Sequence, residues 1–178
     1  VRIMARHLGD IGVPAPVSSG DDPFRILVGT MISLRTRDAV TRVVADRVLR
    51  RAPTPADMAL MREEELAELL RPAGFYRVKA GQLSRIAAIL VEKYGGKVPG
   101  NRRELTALPG VGPKTAAFVL GHAFGIPAVC VDVHVHRIAN RIGMVNTKTP
   151  ESTEIALRGL FPRREWTGLN HVFVRFGQ

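Results

Sequence analysis

The stretch that decides the fold reads Leu108-Pro109-Gly110-Val111-Gly112-Pro113-Lys114-Thr115-Ala116. Two glycines in a tight turn allow backbone conformations that are closed to residues with a Cβ atom. Pro113 then suits the first position of a helix. The N–H groups of Gly110, Gly112 and Lys114 are expected to face outward near the positive end of that helix. The stretch therefore predicts a turn and helix start that bind an anion such as a phosphate, although its Gly-x-Gly core alone is also typical of a helix C-cap and turn.

Lys114 and Asp132 are the candidate chemical groups next to this turn. Lys114 is expected in the first turn of a helix, where the helix dipole disfavours a positive charge, and that placement indicates a function. The lysine would serve as a phosphate-binding group or, when neutral, as an amine nucleophile. Asp132 follows eighteen residues later. Its position suits a helix N-cap, and a carboxylate next to a sugar can also stabilise an oxocarbenium-like transition state.

Composition narrows the class of protein and its partners. The chain has 178 residues, of which 46% are hydrophobic, enough for a full core. Its 26 Lys and Arg against 16 Asp and Glu give a net charge of +10, which favours a nucleic-acid partner. Cys130 is the single cysteine, so a disulfide within the chain is excluded and a reducing, cytoplasmic location is expected. No apolar run approaches a membrane span, and no membrane partner is expected.

Helix signals dominate the chain, and no alternating pair of strands stands out. Caps followed by proline occur at Asp22-Pro23, Thr54-Pro55 and Thr149-Pro150. Apolar residues at helical spacing indicate further helices over 38–49, 79–94, 113–123, 132–141 and 164–176. Gly95-Gly96 should end the helix that begins near Lys79. We therefore predict an all-α protein of about ten short helices.

The histidines near Asp132 do not indicate a metal site. His134 and His136 are two residues apart and would point to different sides of a helix. The neighbouring positions supply no further ligands of the usual kind. We therefore predict no metal site in this chain, with His134 close to nucleic acid or structural.

These motifs resemble those of the endonuclease III group of DNA glycosylases. The 108–116 stretch is similar to the helix-hairpin-helix of that family, and 131–141 resembles its catalytic-aspartate segment. The resemblance extends through 31–38, 74–80 and 170–178, and so covers nearly the whole chain. It implies two helical lobes with DNA in the cleft between them. A six-helix barrel with the helix-hairpin-helix would span 17–126, and a lobe formed by the N- and C-terminal helices would combine 1–16 with 127–178.

The same resemblance implies a bifunctional DNA glycosylase and abasic-site (AP) lyase that acts on oxidised pyrimidines. Lys114 would match the nucleophile that forms a Schiff base with the sugar, and the strand would then be cut by β-elimination. Asp132 would match the carboxylate that assists base departure. The residues expected at the DNA are the hairpin residues Gly110, Val111, Gly112 and Thr115, the wedge candidates Arg35, Phe75 and Tyr76, and also Lys79 and His134. Many family members carry glutamine where Arg35 stands.

The resemblance also sets expectations about cofactors and partners. Most family members continue into four cysteines that hold a [4Fe-4S] cluster, whereas this chain stops at Gln178. We expect such a segment to follow Gln178 in a longer protein, unless this member lacks the cluster, and we expect no cofactor within the chain given. The expected partner is double-stranded DNA with a damaged base or an abasic site, bound by a monomer at the nucleoid.

Two alternatives to this function remain open from the sequence. A mismatch glycosylase that removes thymine or uracil opposite guanine would carry the same motifs, because pocket shape sets the choice of base. A non-catalytic helix-hairpin-helix module would keep the glycines but would not need Lys114 or Asp132. Such a module would bind DNA in a salt-sensitive way and would not cut it.

Overall fold

The computed structural model of the protein describes residues 22–176, with the side chains of 170, 171 and 174–176 left out of the description. Within these residues the fold is all-α, as predicted, with ten α-helices and one 3₁₀ turn at Arg163–Glu165. The first six helices are α1 Pro23–Ser33, α2 Asp38–Arg51, α3 Pro55–Ala59, α4 Glu63–Leu70, α5 Tyr76–Tyr94 and α6 Arg102–Thr106. The last four are α7 Pro113–Ala123, α8 Val133–Arg141, α9 Pro150–Leu160 and α10 Trp166–Phe176.

The described residues divide into two compact units, 22–119 and 120–176, with the division inside α7. The predicted barrel over 17–126 and second lobe over 1–16 and 127–178 stay predictions. Residues 1–21, 177 and 178 lie outside the described residues. No described helix is both long and apolar enough to cross a membrane.

The unit over 22–119 is built around α5. This 19-residue helix packs against α1, α3 and α4, and its buried face includes Leu83, Ile86 and Leu90. Gly95 ends it in a left-handed conformation with φ +58°, and its N–H group donates to the Leu90 carbonyl. The helix begins at Tyr76, three residues before the predicted start. The sequence does not show this start, because the preceding residue, Phe75, forms no side-chain cap.

Local capping explains most of the correctly predicted helix starts. The Asp22 carboxylate accepts the Phe24 N–H at 3.0 Å. Thr54 and Thr149 each form a reciprocal capping box with the residue three positions on. Each such cap contributes about 1 kcal/mol to helix stability. Helix α4 was missed by the sequence analysis, because Arg62 precedes it without any side-chain cap. Helix α6 was also missed, since it has only five residues.

The unit over 120–176 has its own apolar core. Helix α8 packs against α9 and α10, and the fully buried side chains include Val135, Leu157 and Phe173. The ring of Trp166, the single tryptophan of the chain, packs against this core, and its indole N–H donates to the Phe161 carbonyl at 2.9 Å. Tryptophan fluorescence therefore reports on the folding of this unit.

Leu157→Ala should lower the free energy of unfolding by about 2–5 kcal/mol, since it removes a fully buried side chain from a packed core. Urea denaturation followed by Trp166 fluorescence measures the change. Ile155→Ala is the matched control on the same helix, because Ile155 is 70% exposed, and it should change the free energy of unfolding by no more than about 0.5 kcal/mol. Equal effects of the two substitutions would contradict this core assignment.

Candidate active site

The hairpin turn joins α6 to α7 and is held by its own backbone and two apolar side chains. The Leu108 N–H donates to the Leu105 carbonyl at 3.1 Å, and the Val111 N–H donates to the Leu108 carbonyl at 3.1 Å. Leu108 and Val111 are 3% and 5% exposed. The apolar residues therefore anchor the turn to the 22–119 unit, while Gly110 between them lies at the surface.

The two glycines of the turn have different roles. Gly110 has φ +74°, and a Cβ atom built there would lie 2.5 Å from Nε2 of Gln82 on α5. The positive φ favours glycine at this position, whereas the Gln82 amide, at the end of a flexible side chain, can move aside. A Cβ atom at Gly112 would meet nothing within 4 Å. Gly112 therefore faces space into which a phosphate can move close to the backbone. No sequence signal singled out Gln82.

Lys114 is the second residue of α7, and its side chain is exposed. The Gly112 carbonyl accepts the Ala116 N–H at 2.9 Å, which closes the first turn of this helix. Thr115, next along the chain, is 4% exposed. The side chains of Val111 and Thr115 are both buried, and DNA binding at these two positions stays a prediction. Any DNA contact at these two positions has to use the main chain.

Asp132 caps α8, as the sequence predicted. Its Oδ1 atom accepts the N–H groups of His134 and Val135, each at 2.9 Å. These two bonds hold the carboxylate at the helix N-terminus, where the dipole also favours its negative charge. A carboxylate that is held in this way keeps a defined position during a reaction.

His134 and His136 lie in different environments. His134 is exposed, and its Nδ1 atom lies 3.2 Å from the Arg137 guanidinium. The Nδ1 atom of His136 is 2.6 Å from the hydroxyl of Thr153, which is fully buried. His136 therefore joins α8 to α9. Within residues 22–176, no three His, Cys, Asp or Glu side chains form a group that could hold a metal ion.

Arg35 and Phe75 meet at the surface of the 22–119 unit. Arg35 follows α1, Phe75 precedes α5, and the guanidinium lies over the Phe75 ring at 5.3 Å from its centroid. Phe75 is 59% exposed. Tyr76 is only half-exposed, with the guanidinium groups of Arg71 and Arg77 at 5.0 and 5.8 Å from its ring centroid. Of the two aromatic candidates for a wedge, Phe75 is thus the one that is presented to a ligand.

Lys79 does not have the DNA-contacting role predicted for it. The side chain is 4% exposed, and its ammonium group donates to the carbonyls of Ile32 and Leu34 at 2.6 Å each and to the Thr36 hydroxyl at 2.8 Å. An ammonium group has three N–H donors, so all of them are used within the protein. The sequence carried a signal for this, because Lys79 falls on the apolar stripe of α5 one turn before Leu83.

The residues present do not fit an iron–sulfur cluster. Such a cluster needs four cysteine ligands, whereas this chain has Cys130 alone, and that side chain is 6% exposed.

The two candidate chemical groups belong to different units: Lys114 to the 22–119 unit and Asp132 to the 120–176 unit.

Comparison with known protein families identifies the architecture. Residues 28–163 match the HhH-GPD superfamily of base excision DNA repair proteins. Endonuclease III of Thermotoga maritima is 48% identical over 157 residues, which cover 88% of this chain and 74% of that protein. These matches confirm the predicted family and favour an enzyme over a non-catalytic DNA-binding module.

Solved structures agree with the family match. A trapped covalent intermediate of endonuclease III with DNA superposes with a TM-score of 0.85 and 34% identity, covering 97% of this chain and 80% of that one. A thermostable thymine-DNA glycosylase superposes with a TM-score of 0.82 and 25% identity, covering 99% of this chain and 83% of that one. The all-α fold that the sequence predicted is therefore confirmed.

The two hairpin glycines should respond differently to alanine. Gly110→Ala should lower the free energy of unfolding by about 1–2 kcal/mol, because a residue with a Cβ atom is strained at positive φ. Gly112→Ala should destabilise the protein less and weaken DNA binding about tenfold, because its Cβ fills the space next to the backbone. Denaturation and fluorescence anisotropy with a duplex measure the two effects. Retained affinity in Gly112→Ala would contradict the phosphate site.

Proposed function

This chain belongs to the HhH-GPD superfamily of base excision DNA repair proteins, and from that premise we propose which residues carry its chemistry. It is a base excision repair DNA glycosylase and AP lyase, and its partner is DNA. We assign the nucleophile to Lys114 and the assisting carboxylate to Asp132. We further propose oxidised pyrimidines as the damaged bases, and a monomer acting on nucleoid DNA.

The observation that carries the proposal is that the exposed Lys114 lies next to the hairpin turn at 110–112, whose backbone can bind a phosphate. Gly112 leaves the backbone accessible, and Lys114 follows it by two residues at the start of α7. A phosphate bound at this turn would bring the sugars of the same strand near the lysine. The structure of endonuclease III trapped covalently on DNA, at 34% identity, supports a covalent role for the lysine over a purely electrostatic one.

The reaction that this assignment describes runs in two stages. The neutral amine of Lys114 attacks the anomeric carbon, the glycosidic bond breaks, and the base leaves with a proton. The lysine nitrogen then displaces the ring oxygen: the C1′–O4′ bond breaks, O4′ takes a proton from water, and the protonated Schiff base that forms acidifies the neighbouring C2′–H bond. Loss of that proton expels the 3′ phosphate by β-elimination, and water then releases the lysine. Asp132 would stabilise the positive charge that develops on the sugar as the base leaves.

Arg35 and Phe75 are proposed as the wedge, defined here as the pair of side chains that fills the gap left by a flipped base. The exposed ring of Phe75 offers a surface for stacking, and an arginine can both stack and donate hydrogen bonds to an unpaired base. Their mutual contact at 5.3 Å presents the two side chains together.

Other exposed groups complete the proposed DNA-binding surface. Gly110 and Gly112 would hold the phosphate, and His134 and Arg137 add exposed groups near Asp132.

Lys114→Ala should abolish the covalent adduct that borohydride traps on abasic DNA, because no other amine replaces the nucleophile. DNA affinity, measured by anisotropy, should stay within about threefold, since one exposed phosphate contact at most is lost. Lys148→Ala is the control, as it removes one exposed lysine elsewhere. If the wild-type protein binds abasic DNA yet forms no adduct, the lyase assignment is wrong. An adduct with Lys114→Ala would move the nucleophile to another residue.

Asp132→Asn separates the two roles of this side chain. Asparagine caps helices about as well as aspartate, so the free energy of unfolding should change little, whereas base release should fall about 100–1000-fold. Asp132→Ala should lose base release to the same degree and also lower the free energy of unfolding by about 1 kcal/mol. Urea denaturation followed by Trp166 fluorescence and single-turnover base release measure the two quantities. Full activity in Asp132→Asn would limit this residue to capping.

A mismatch glycosylase is the second candidate function. The similarity to a thymine-DNA glycosylase, at 25% identity and a TM-score of 0.82, favours including it. Duplexes that contain thymine glycol, 5-hydroxycytosine, or thymine or uracil opposite guanine separate the two specificities. Preferred release of the oxidised bases supports the first candidate, and preferred release of mismatched thymine supports the second.

A further inference from the structure

We infer that Lys79 is a positioning residue that holds Arg35 and Phe75 in place as a preformed wedge. The inference rests on the wedge role proposed above for these two residues. Lys79 itself is buried and does not touch DNA. It acts through the two short loops that carry the wedge.

Both wedge residues have an unfavourable backbone conformation. Arg35 has φ +52° and Phe75 has φ +56°, and within residues 22–176 they are the two non-glycine residues with positive φ. A bulky side chain in this region is strained, and such a conformation persists only where the surroundings enforce it. Both strained residues belong to one surface pair. This coincidence indicates that the protein maintains the pair for a purpose other than stability.

The Lys79 ammonium group supplies the enforcing contacts on the Arg35 side. It binds the carbonyl of Leu34 immediately before Arg35 and the hydroxyl of Thr36 immediately after it. It also binds the Ile32 carbonyl in the last turn of α1, where a positive charge is favoured by the helix dipole. The loop is thus tied on both sides of Arg35, and only its side chain is left to project.

The same group reaches the Phe75 side through Thr36 and Gly74. The Thr36 hydroxyl accepts the Gly74 N–H at 3.2 Å, next to Phe75. A Cβ atom at Gly74 would lie 2.3 Å from the Arg35 carbonyl oxygen, so the two loops are in close contact there. The main-chain N–H of Lys79 also donates to the Phe75 carbonyl at 3.0 Å, a bond that any residue at this position would keep, so the link that is specific to lysine runs through Thr36. Both halves of the wedge therefore depend on one side chain.

The choice of a charged residue supports this role. Burial penalises an ammonium group and lowers the pKa of Lys79 from its usual value. A methionine would avoid that cost, yet it would leave two carbonyls and a hydroxyl without these donors. If this position of the helix needed only apolar packing, methionine would fill it without the desolvation cost of a buried ammonium group. The lysine therefore fits a requirement to hold the loops in one conformation.

Lys79→Met and Thr36→Val test the inference by comparing substrates that need a wedge with one that does not. On a lesion duplex, kcat/KM should fall about 100-fold for Lys79→Met, the cost of a misplaced positioning group. It should fall about tenfold for Thr36→Val, which retains both carbonyl contacts. Borohydride trapping on a single-stranded abasic oligonucleotide should stay within about twofold of wild type for both, because no base has to be flipped. Lys97→Met, an exposed lysine, is the matched charge control and should match wild type on both substrates.

A double-mutant cycle with Phe75→Ala tests whether Lys79 acts through the wedge. Phe75→Ala should lower duplex activity strongly in wild type and less than about twofold in the Lys79→Met background, since the ring is then already misplaced. A readout without catalysis uses 2-aminopurine opposite a tetrahydrofuran abasic analogue. Wild-type binding should raise its fluorescence as the wedge unstacks the base, and Lys79→Met at saturation should lose more than half of that rise.

Several results would overturn the inference. Equal losses on duplex and single-stranded substrates would show that Lys79 only stabilises the fold, and additive effects of Lys79→Met and Phe75→Ala would show that it does not act through the wedge. If Lys79→Met fails to fold, Thr36→Val alone decides, and wild-type behaviour on the duplex would refute the inference. Failure of the proposed function looks different, because wild type would then form no adduct on any abasic DNA. The 2-aminopurine signal would still test the wedge in that case.

Discussion

The arrangement of the 22–119 unit depends on helix α5, whose buried Lys79 binds the segment around Arg35 through three hydrogen bonds. The Thr36 hydroxyl that Lys79 binds also accepts the Gly74 N–H, next to Phe75, and the Gln82 amide on the same helix lies next to Gly110 in the turn before α7. Three residues span about 4.5 Å along a helix. One helix thus lies next to both the proposed wedge and the proposed phosphate site.

Function and stability make opposite demands at several of these positions. Arg35 and Phe75 occupy strained backbone conformations, Lys79 carries a buried charge, and Lys114 places a cation at the start of a helix, where the dipole disfavours it. Asp132 is the exception, since its carboxylate satisfies two N–H groups of α8 and is favoured by the same dipole. A group of residues that departs from the most stable choice in this way is typical of an active site.

Much of the fold was predictable because it is encoded locally. Three helix starts were predicted because their caps bind residues two or three positions further along the chain: Asp22, Thr54 and Thr149. Gly95 ends α5 through a bond to Leu90, which is also close in sequence. Helix α4 escaped prediction since no cap precedes it. The early start of α5 was not predicted, because Phe75 adopts a left-handed conformation next to Gly74, which lies close to the distant Arg35 carbonyl.

The sequence by itself determined the all-α class, the family, the hairpin turn and the pairing of Lys114 with Asp132 as candidate chemical groups. These features depend on residue type and short spacing, which a linear pattern records. Only the tertiary structure showed that the Lys79 ammonium group is bound within the protein, that Phe75 is more exposed than Tyr76, and that the Gln82 amide lies next to Gly110. Those outcomes depend on which carbonyls and side chains meet across 28 to 47 residues of chain, and no local pattern contains that information.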